Sequence, residues 1–239
     1  MRGFSLLLLL PALLSAQFNA KKSAQTDAAF DKYVASAEAS MTWTPNQAAE
    51  RVSVFSANGQ SPHAVTDGMI HDWSASVFVP KAKIEKALQV FQNYDAYKNV
   101  FTPEVVESKL LEKNNNHWKA FLKLKRKKIV TAVLNSEYDV EYRQLSDRRW
   151  AILSRSTKIS EMDGDSELPA GEGHGYLWRL NAYWLLEPRP GGLYMECRSI
   201  SLTRDVPRGL GWAVGSIVSN LPKESLQATV EAAARATVQ

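Results

Sequence analysis

Between Val105 and Arg204 six runs rich in β-branched, aromatic and alternating apolar residues succeed one another, over 105–112, 117–125, 129–144, 149–159, 173–187 and 193–204. The separators are turn formers: Lys113-Asn-Asn-Asn116, Arg126-Lys-Lys128, Ser146-Asp147, the Gly- and Asp-bearing stretch from Met162 to Gly173, and Arg189-Pro-Gly-Gly192. Parallel strands need a crossover, usually a helix, whereas antiparallel neighbours are joined by a few residues. The chain is therefore predicted to form an antiparallel meander, and the missing β-α-β alternation argues against a doubly wound parallel sheet.

The carboxy-terminal part of the chain completes the plan. From Gly173 to Val238 two long strands lead into an apolar stretch over 207–219 carrying Gly209, Gly211 and Gly215. A terminal helix comes next, with Pro222 in its first turn and Leu226, Val230 and Ala233 on one stripe. A bent sheet needs a helix across its face, so this part is expected to form half of a container. The glycine spacing misses G-x-G-x-x-G by one residue, Val214 occupies the third position, and too little chain remains for a β-α-β unit. A dinucleotide loop is rejected on those grounds. The stretch is expected to gate a cavity or touch a membrane, or else to be a close-packed helix start.

Upstream, Trp73 to Val79 reads as a strand stopped by Pro80. Ile84, Ala87, Leu88, Phe91 and Tyr94 have helical spacing, broken near Asn93-Tyr94-Asp95 into two short helices. Thr26-Asp27 can cap a helix carrying Phe30, Tyr33, Val34, Ala37 and Met41 on one face. Residues 42–64 read as a connecting arm with one helical turn over 48–54. Residues 1–20 read as a secretory signal peptide: Arg2, an apolar run from Phe4 to Leu14, and a cleavage site after Ala16 or Ala20. The expected organisation is thus signal peptide 1–20, helix and arm 21–64, and a main domain over 65–239, exported to the periplasm or outside the cell. Cys197 is the single cysteine, so no internal disulfide can form and core packing alone must hold the fold.

The order strand, helix pair, six antiparallel strands and long carboxy-terminal helix resembles the START-like superfamily, also called SRPBCC. Its members include coenzyme Q-binding START-like proteins, polyketide cyclases and pollen-allergen-type carriers. The residues that carry the likeness are Val79-Pro80, Ala87 to Tyr97, Pro103-Glu-Val105, Leu177 to Trp184, and Ser201 to Asp205 with Gly209-Leu-Gly-Trp212. The resemblance spans Met69 to Val238 and is strongest to an exported bacterial group. It implies an α+β helix-grip fold, in which a curved antiparallel sheet wraps around the long C-terminal helix, here with an N-terminal helical extension. It also implies an elongated apolar cavity between sheet and helix, and it carries over no catalytic motif.

The candidate site residues come from the last strands. Arg179, Asn181 and Tyr183 share one face of a strand, and Trp178 and Trp184 share the other. Either set is a candidate cavity wall, the first through polar contacts and the second through apolar ones. Glu196 and Arg198 lie on one face of the next strand, and Glu196 is expected to pair with Arg179 or Arg155 if buried. Tyr142 and Trp212 complete the ligand-binding candidates. A cyclase or dehydratase would require Arg155, Arg179, Asn181 and Glu196 to point inward together. The bland alternatives are a plain core and exposed salt bridges. Glu137, Asp139 and Glu141 alternate along one strand and read as a solvated face opposite Lys119, Lys123 and Lys125.

The four histidines are scattered, with His71 and His174 read as surface or loop residues, and neither an H-E-x-x-H nor a G-x-S-x-G motif occurs. No catalytic residue, metal or cofactor is expected. The net charge of +4 is far from that of a nucleic-acid binder, and the run Lys123 to Lys128 lacks aromatic platforms for bases. That run suits a solubilising tip or contact with an anionic membrane surface. The expected function is binding or transport of an apolar small molecule such as a lipid, quinone or polyketide, with a cyclase-type enzyme and a ligand-free envelope module as alternatives.

Overall fold

A computed structural model describes residues 19–46, 48–57, 59–127, 131–205 and 211–238, with backbone alone over 211–219. Residues 1–18, where a signal peptide is expected, lie outside it. The architecture is α+β. A ten-stranded antiparallel sheet runs in the order β2-β4-β12-β11-β8-β7-β6-β5, where β2 is Ser53–Ser56, with β3 (His63–Val65) also on β4 and β9 (Ser166–Glu167) on β8. The long strands are β4 (Gly68–Pro80), β5 (Val105–Asn114), β6 (His117–Lys127), β7 (Thr131–Gln144), β8 (Trp150–Asp163), β11 (Arg179–Arg189) and β12 (Gly192–Arg204). The predicted meander is present, and β12 folds back so that β4 lies beside it over its whole length.

The sheet has helices on both faces. On one lie α2 (Ile84–Gln92), a 3-10 turn at Tyr94–Ala96, α3 (Tyr97–Val100) and α4 (Gly211–Ala236); on the other lies α1 (Ala24–Ala39). Strand alternation divides the apolar residues accordingly. Ala75, Val77, Trp184, Leu186, Met195 and Cys197 face α2 and α4, while Ile70, Leu153, Tyr183, Ile200 and Leu202 face α1 around the fully buried Phe30.

Several boundaries depart from the sequence expectation. The arm over 42–64 has no helical turn among its described residues; β2 (Ser53–Ser56) and β3 (His63–Val65) both pair with β4 and extend the sheet past it. The cap of α1 is Ser23, whose Oγ accepts from the Thr26 amide at 3.1 Å, and the helix stops before Met41. The strand expected from Gly173 starts at Arg179, because Gly171, Gly173 and Gly175 all take positive φ. A Cβ at Gly175 would meet Arg204 Cβ at 2.7 Å, so only glycine fits there. Glu172 and Gly173 instead form β10 (Glu172–Gly173) and pair with β1 (Ala20–Lys21). Finally, α4 is helical from Gly211, so Pro222 stands inside the helix rather than in its first turn. Proline has no N–H for the carbonyl four residues earlier, which leaves a gap in the helical ladder there.

Candidate functional site

Cross-strand rows on the α4 face show where this side of the sheet is full and where it is hollow. One row runs Ala75, Cys197, Trp184, Ile152 and Tyr142 across five strands, and every member is buried. The residues of α2 and α3 fill the space over it. The Phe91 and Trp184 rings lie 4.7 Å apart, Trp118 and Tyr142 4.9 Å, and Tyr97 Oη donates to Phe91 O at 2.8 Å. Tyr142 Oη donates to the same carbonyl at 2.5 Å, and burial raises its hydroxyl well above the ordinary value.

Two residues further along each strand the character changes. The next row reads Trp73, Ser199, Ala182, Ser154 and Val140; the first four are half-buried although they occupy four central strands, and Val140 on β7 is buried. Packed layers lie roughly 10 Å apart, a gap that alanine and serine side chains cannot fill. The row after it contains His71, Ser201 and Leu180, with Ser156 and Tyr138 continuing across β8 and β7. Small side chains on the central strands, flanked by large ones on β4 and β7, leave the sheet's own surface low there, a shallow trough on the face that carries α4, in which His71, Ser201, Ser156 and Tyr138 are nonetheless buried.

The trough is edged by buried polar atoms without partners. His71 Nδ1 and Trp73 Nε1 have no hydrogen-bond partner, nor does Ser56 Oγ, opposite Trp73 on β2. His71 is fully buried, which lowers its pKa to about 4 and keeps the ring neutral. Its Nε2 lies 3.1 Å from Thr203 Oγ1, whose own hydroxyl hydrogen goes to Arg204 O at 3.1 Å. Nε2 must then carry the ring proton, and Nδ1 is a bare acceptor. Burial pushes the Tyr138 hydroxyl up to about 12, against a smaller lowering by Ser136, whose hydroxyl donates to Leu122 O at 2.7 Å.

The polar residues singled out from the sequence lie elsewhere. Arg155, Arg179, Asn181, Arg198 and Glu196 all sit on the opposite face, the one that carries α1. Arg179 Nη1 and Nη2 donate to Asp27 at 2.7 Å and Asp31 at 3.0 Å, with its guanidinium 5.0 Å from the Phe30 ring centroid. Arg155 donates twice to Glu38, at 2.7 and 2.9 Å, and Tyr183 Oη donates to the same carboxylate at 2.7 Å. Burial raises the Glu38 carboxyl, but the hydrogen bonds from Arg155 and Tyr183 outweigh it and the net shift is downward. Asn181 accepts from the Ser156 amide at 3.2 Å and donates to Tyr183 Oη at 3.0 Å.

Arg198 clasps Asp72 at 2.9 and 2.6 Å, with Tyr33 Oη donating to Asp72 at 2.8 Å. The expected pairing of Glu196 with Arg179 or Arg155 does not occur. Glu196 accepts from Asn46 Nδ2 at 3.0 and 3.1 Å and from Tyr194 Oη. These side chains bind the amino-terminal segment to the sheet, so the inward catalytic cluster that a cyclase reading required is not formed. The reason is register: Arg179 and Glu196 alternate with the inward Leu180 and Cys197, and periodicity alone does not say which face receives which helix.

Of the remaining candidates, Trp184 and Tyr142 belong to the filled end of the α4 face, and Trp178 packs with Phe30 and Leu202 under α1. Trp212 is on the helical backbone of α4, with its side chain outside the described residues. His71, expected at the surface, is buried in the trough, whereas His174 is in a loop as expected, with Nδ1 3.1 Å from Glu161. The sequence signal for His71 is its place two residues before Trp73 in a strand, which puts both on one face. The acidic row behaves as a solvated face: Asp139 stands opposite Lys119, and Glu141 accepts from Arg143 at 2.8 Å.

Two surface clefts are lined by described residues. One of about 590 Å³ lies between Pro80, Lys83 and Thr237, and another of about 370 Å³ lies between Glu112, Asp139 and Arg155. Neither opens on the trough.

Known structures share this architecture. Human STARD10 superposes with a TM-score of 0.51 at 12% identity, over 89% of this chain and 81% of that one. TTHA0849 from Thermus thermophilus gives 0.50 at 12%, over 69% and 95%. The di-domain ARO/CYC StfQ of the steffimycin biosynthetic pathway gives 0.50 at 12%, over 71% of this chain and 51% of that one. No family model and no curated protein matches the sequence. The fold is therefore START-like, the helix-grip architecture implied by the motifs.

Proposed function

We propose that this protein binds an apolar small molecule in the trough between the central strands and the first half of α4, and that it carries this ligand rather than transforming it. The observation behind this reading is the half-buried row Trp73, Ser199, Ala182 and Ser154 in the middle of a sheet whose adjoining row is fully buried. Side chains that could fill the gap are absent from those positions, and apolar surface of a ligand would be removed from water there at roughly 25 cal/mol per Å² before ordering costs. The START-like fold supports a small-molecule ligand, since a solved structure with this architecture is a di-domain ARO/CYC protein of a biosynthetic pathway; the choice of carrier over enzyme rests on Arg155, Arg179, Asn181 and Glu196 lying on the α1 face.

Export belongs to the same proposal. Ala20 and Lys21 pair with Gly173 and Glu172, and Lys22 N donates to Gly171 O at 2.8 Å, so a signal peptide removed after Ala16 leaves β1 whole. The basic run at the β6 end would then meet an anionic membrane surface, although Arg126 is engaged by Glu104 and Glu224.

The test is native mass spectrometry of protein purified from its own exported fraction, with organic extraction of any co-purifying molecule. An apolar molecule should be retained, or taken up from a mixture of lipids and quinones. Ala182→Trp, which fills the trough, should abolish uptake and leave the circular dichroism spectrum unchanged. A folded wild-type protein that takes up nothing would end the carrier reading.

A further inference from the structure

The larger of the two surface clefts, about 590 Å³, lies where β4 runs into α2, and it carries more charge than the fold requires. Part of its lining is apolar: Val79 and Pro80 end β4, and Val238, just past the end of α4, is 57% exposed. Lys81, Lys83 and Lys86 line the same cleft, and all three are exposed. Among the described residues none of these ammonium groups has an ion-pair partner. Glu85, the carboxylate in the first turn of α2, is exposed and does not line the cleft.

The lysines break local rules. Lys81 takes φ +62°, in the left-handed region that a Cβ disfavours, and its N–H is held by Gly191 O at 2.7 Å. Glycine or asparagine would take that turn with less strain. Lys83 and Lys86 stand three residues apart at the start of α2, so they are neighbours on one face and repel each other, at the end of the helix where cations are least favourable. Lys83 occupies the N-cap position without supplying a side-chain cap. A chain that needed only a turn and a helix start gains nothing from three lysines there, whereas a bound anion offsets all of these costs.

The lining also says what kind of anion fits. Three cations without a carboxylate suit a group of charge about −2, such as a phosphate monoester, better than a carboxylate, and lysine binds phosphate as a point charge. An inorganic ion would leave most of the cleft empty and its apolar lining wet, whereas small-molecule sites combine an apolar wall of this size with a few polar groups. We propose that this cleft binds a phosphate monoester carried on an apolar stem, with the phosphate among Lys81, Lys83 and Lys86 and the stem against Val79, Pro80 and Val238. The site is separate from the trough and does not depend on the carrier reading.

Calorimetric titration with hexyl phosphate, hexanol, hexanoate and inorganic phosphate tests the site. Hexyl phosphate should bind at least about 10-fold more tightly than inorganic phosphate, which burial of about two methylenes supplies, and more tightly than hexanol or hexanoate. Replacing Lys83 and Lys86 together by Gln should weaken it about 10-fold, the scale of two partly exposed ion pairs. Lys81→Asn, which suits the turn, should also weaken it without lowering the melting temperature. Lys32→Gln, an equal loss of charge at an exposed residue of α1, should change nothing, and Ala182→Trp, in the trough, should leave binding intact.

Vesicles of phosphatidylcholine with and without phosphatidic acid distinguish the sources of the phosphate. Sedimentation with the phosphatidic acid vesicles, lost in the lysine variants, assigns it to a bilayer lipid; hexyl phosphate binding without sedimentation assigns it to a free amphiphile, and either result supports the site. Inorganic phosphate or hexanoate bound as tightly as hexyl phosphate, binding that survives the lysine variants, or no binding of any probe by the folded protein overturns the proposal and leaves the carrier reading standing. Hexyl phosphate binding lost in Ala182→Trp but kept in the lysine variants would place the ligand in the trough, overturning the cleft site and favouring the carrier reading.

Discussion

His71 shows what a single side chain can decide. It sits between Ile70 and Asp72, both of which serve the α1 face, and so is turned the other way by strand geometry. Burial brings its pKa from 6.5 to about 4. Between those values the unfolded chain holds a proton that the folded chain does not, so stability falls as pH is lowered from about 6.5 to about 4 and this contribution then levels off. The difference between the two values corresponds to about 3 kcal/mol. Urea denaturation across that range should show the slope, and His71→Phe should remove it; an unchanged slope in the variant would place the titration elsewhere. Glu38 and Asp27 act at lower pH. Their folded pKa values are below 4.5 and 3.8, so the stability they add is lost only as pH falls through those lower values.

Among the elements, α4 departs most from its expected form. Its second half is anchored by Leu226, Val230 and Ala233, buried on the stripe that the sequence spacing marks. Its first half is joined to the second through Pro222. Pro222→Ala restores one ladder hydrogen bond and relieves the ring's clash with the preceding turn, so it should stabilise the protein by about 1–3 kcal/mol in urea denaturation. It should also slow ligand exchange if the first half must move for entry. No gain in stability would mean that the helix has already relaxed around the proline. The strand pairs are legible in the sequence because alternation and turn chemistry are local signals, down to the Asn-rich turn between β5 and β6. The short strands β2 and β3 are not legible, because a four-residue strand exists only where β4 offers an edge for it.

For the molecule as a whole, the second layer matters most. The α1 face of the sheet is apolar, with Ile70, Leu153, Ile200 and Leu202 nearly inaccessible beneath Phe30. A surrounding set of charge pairs, Asp27 and Asp31 with Arg179 and Glu38 with Arg155, fixes the helix in register, together with the Tyr33 hydroxyl bonded to Asp72 of the strand pair Asp72–Arg198. The extension is thus an integral layer. A chain beginning at residue 42 should lose solubility or melt well below a chain beginning at residue 17, and a monomeric truncation with unchanged melting would contradict this.

The sequence by itself determined the class of fold, since six strands joined by short turns and followed by one helix leave an antiparallel sheet closed by that helix. It also determined which residues share a face, because alternation is covalent geometry. Only the tertiary structure decided which face met which helix. That choice rests on long-range packing: α1 carries Asp27, Asp31 and Glu38 at the spacing of Arg179 and Arg155, so the polar residues that looked like a ligand site became its attachment. The row of serines and alanine left on the other side became the trough.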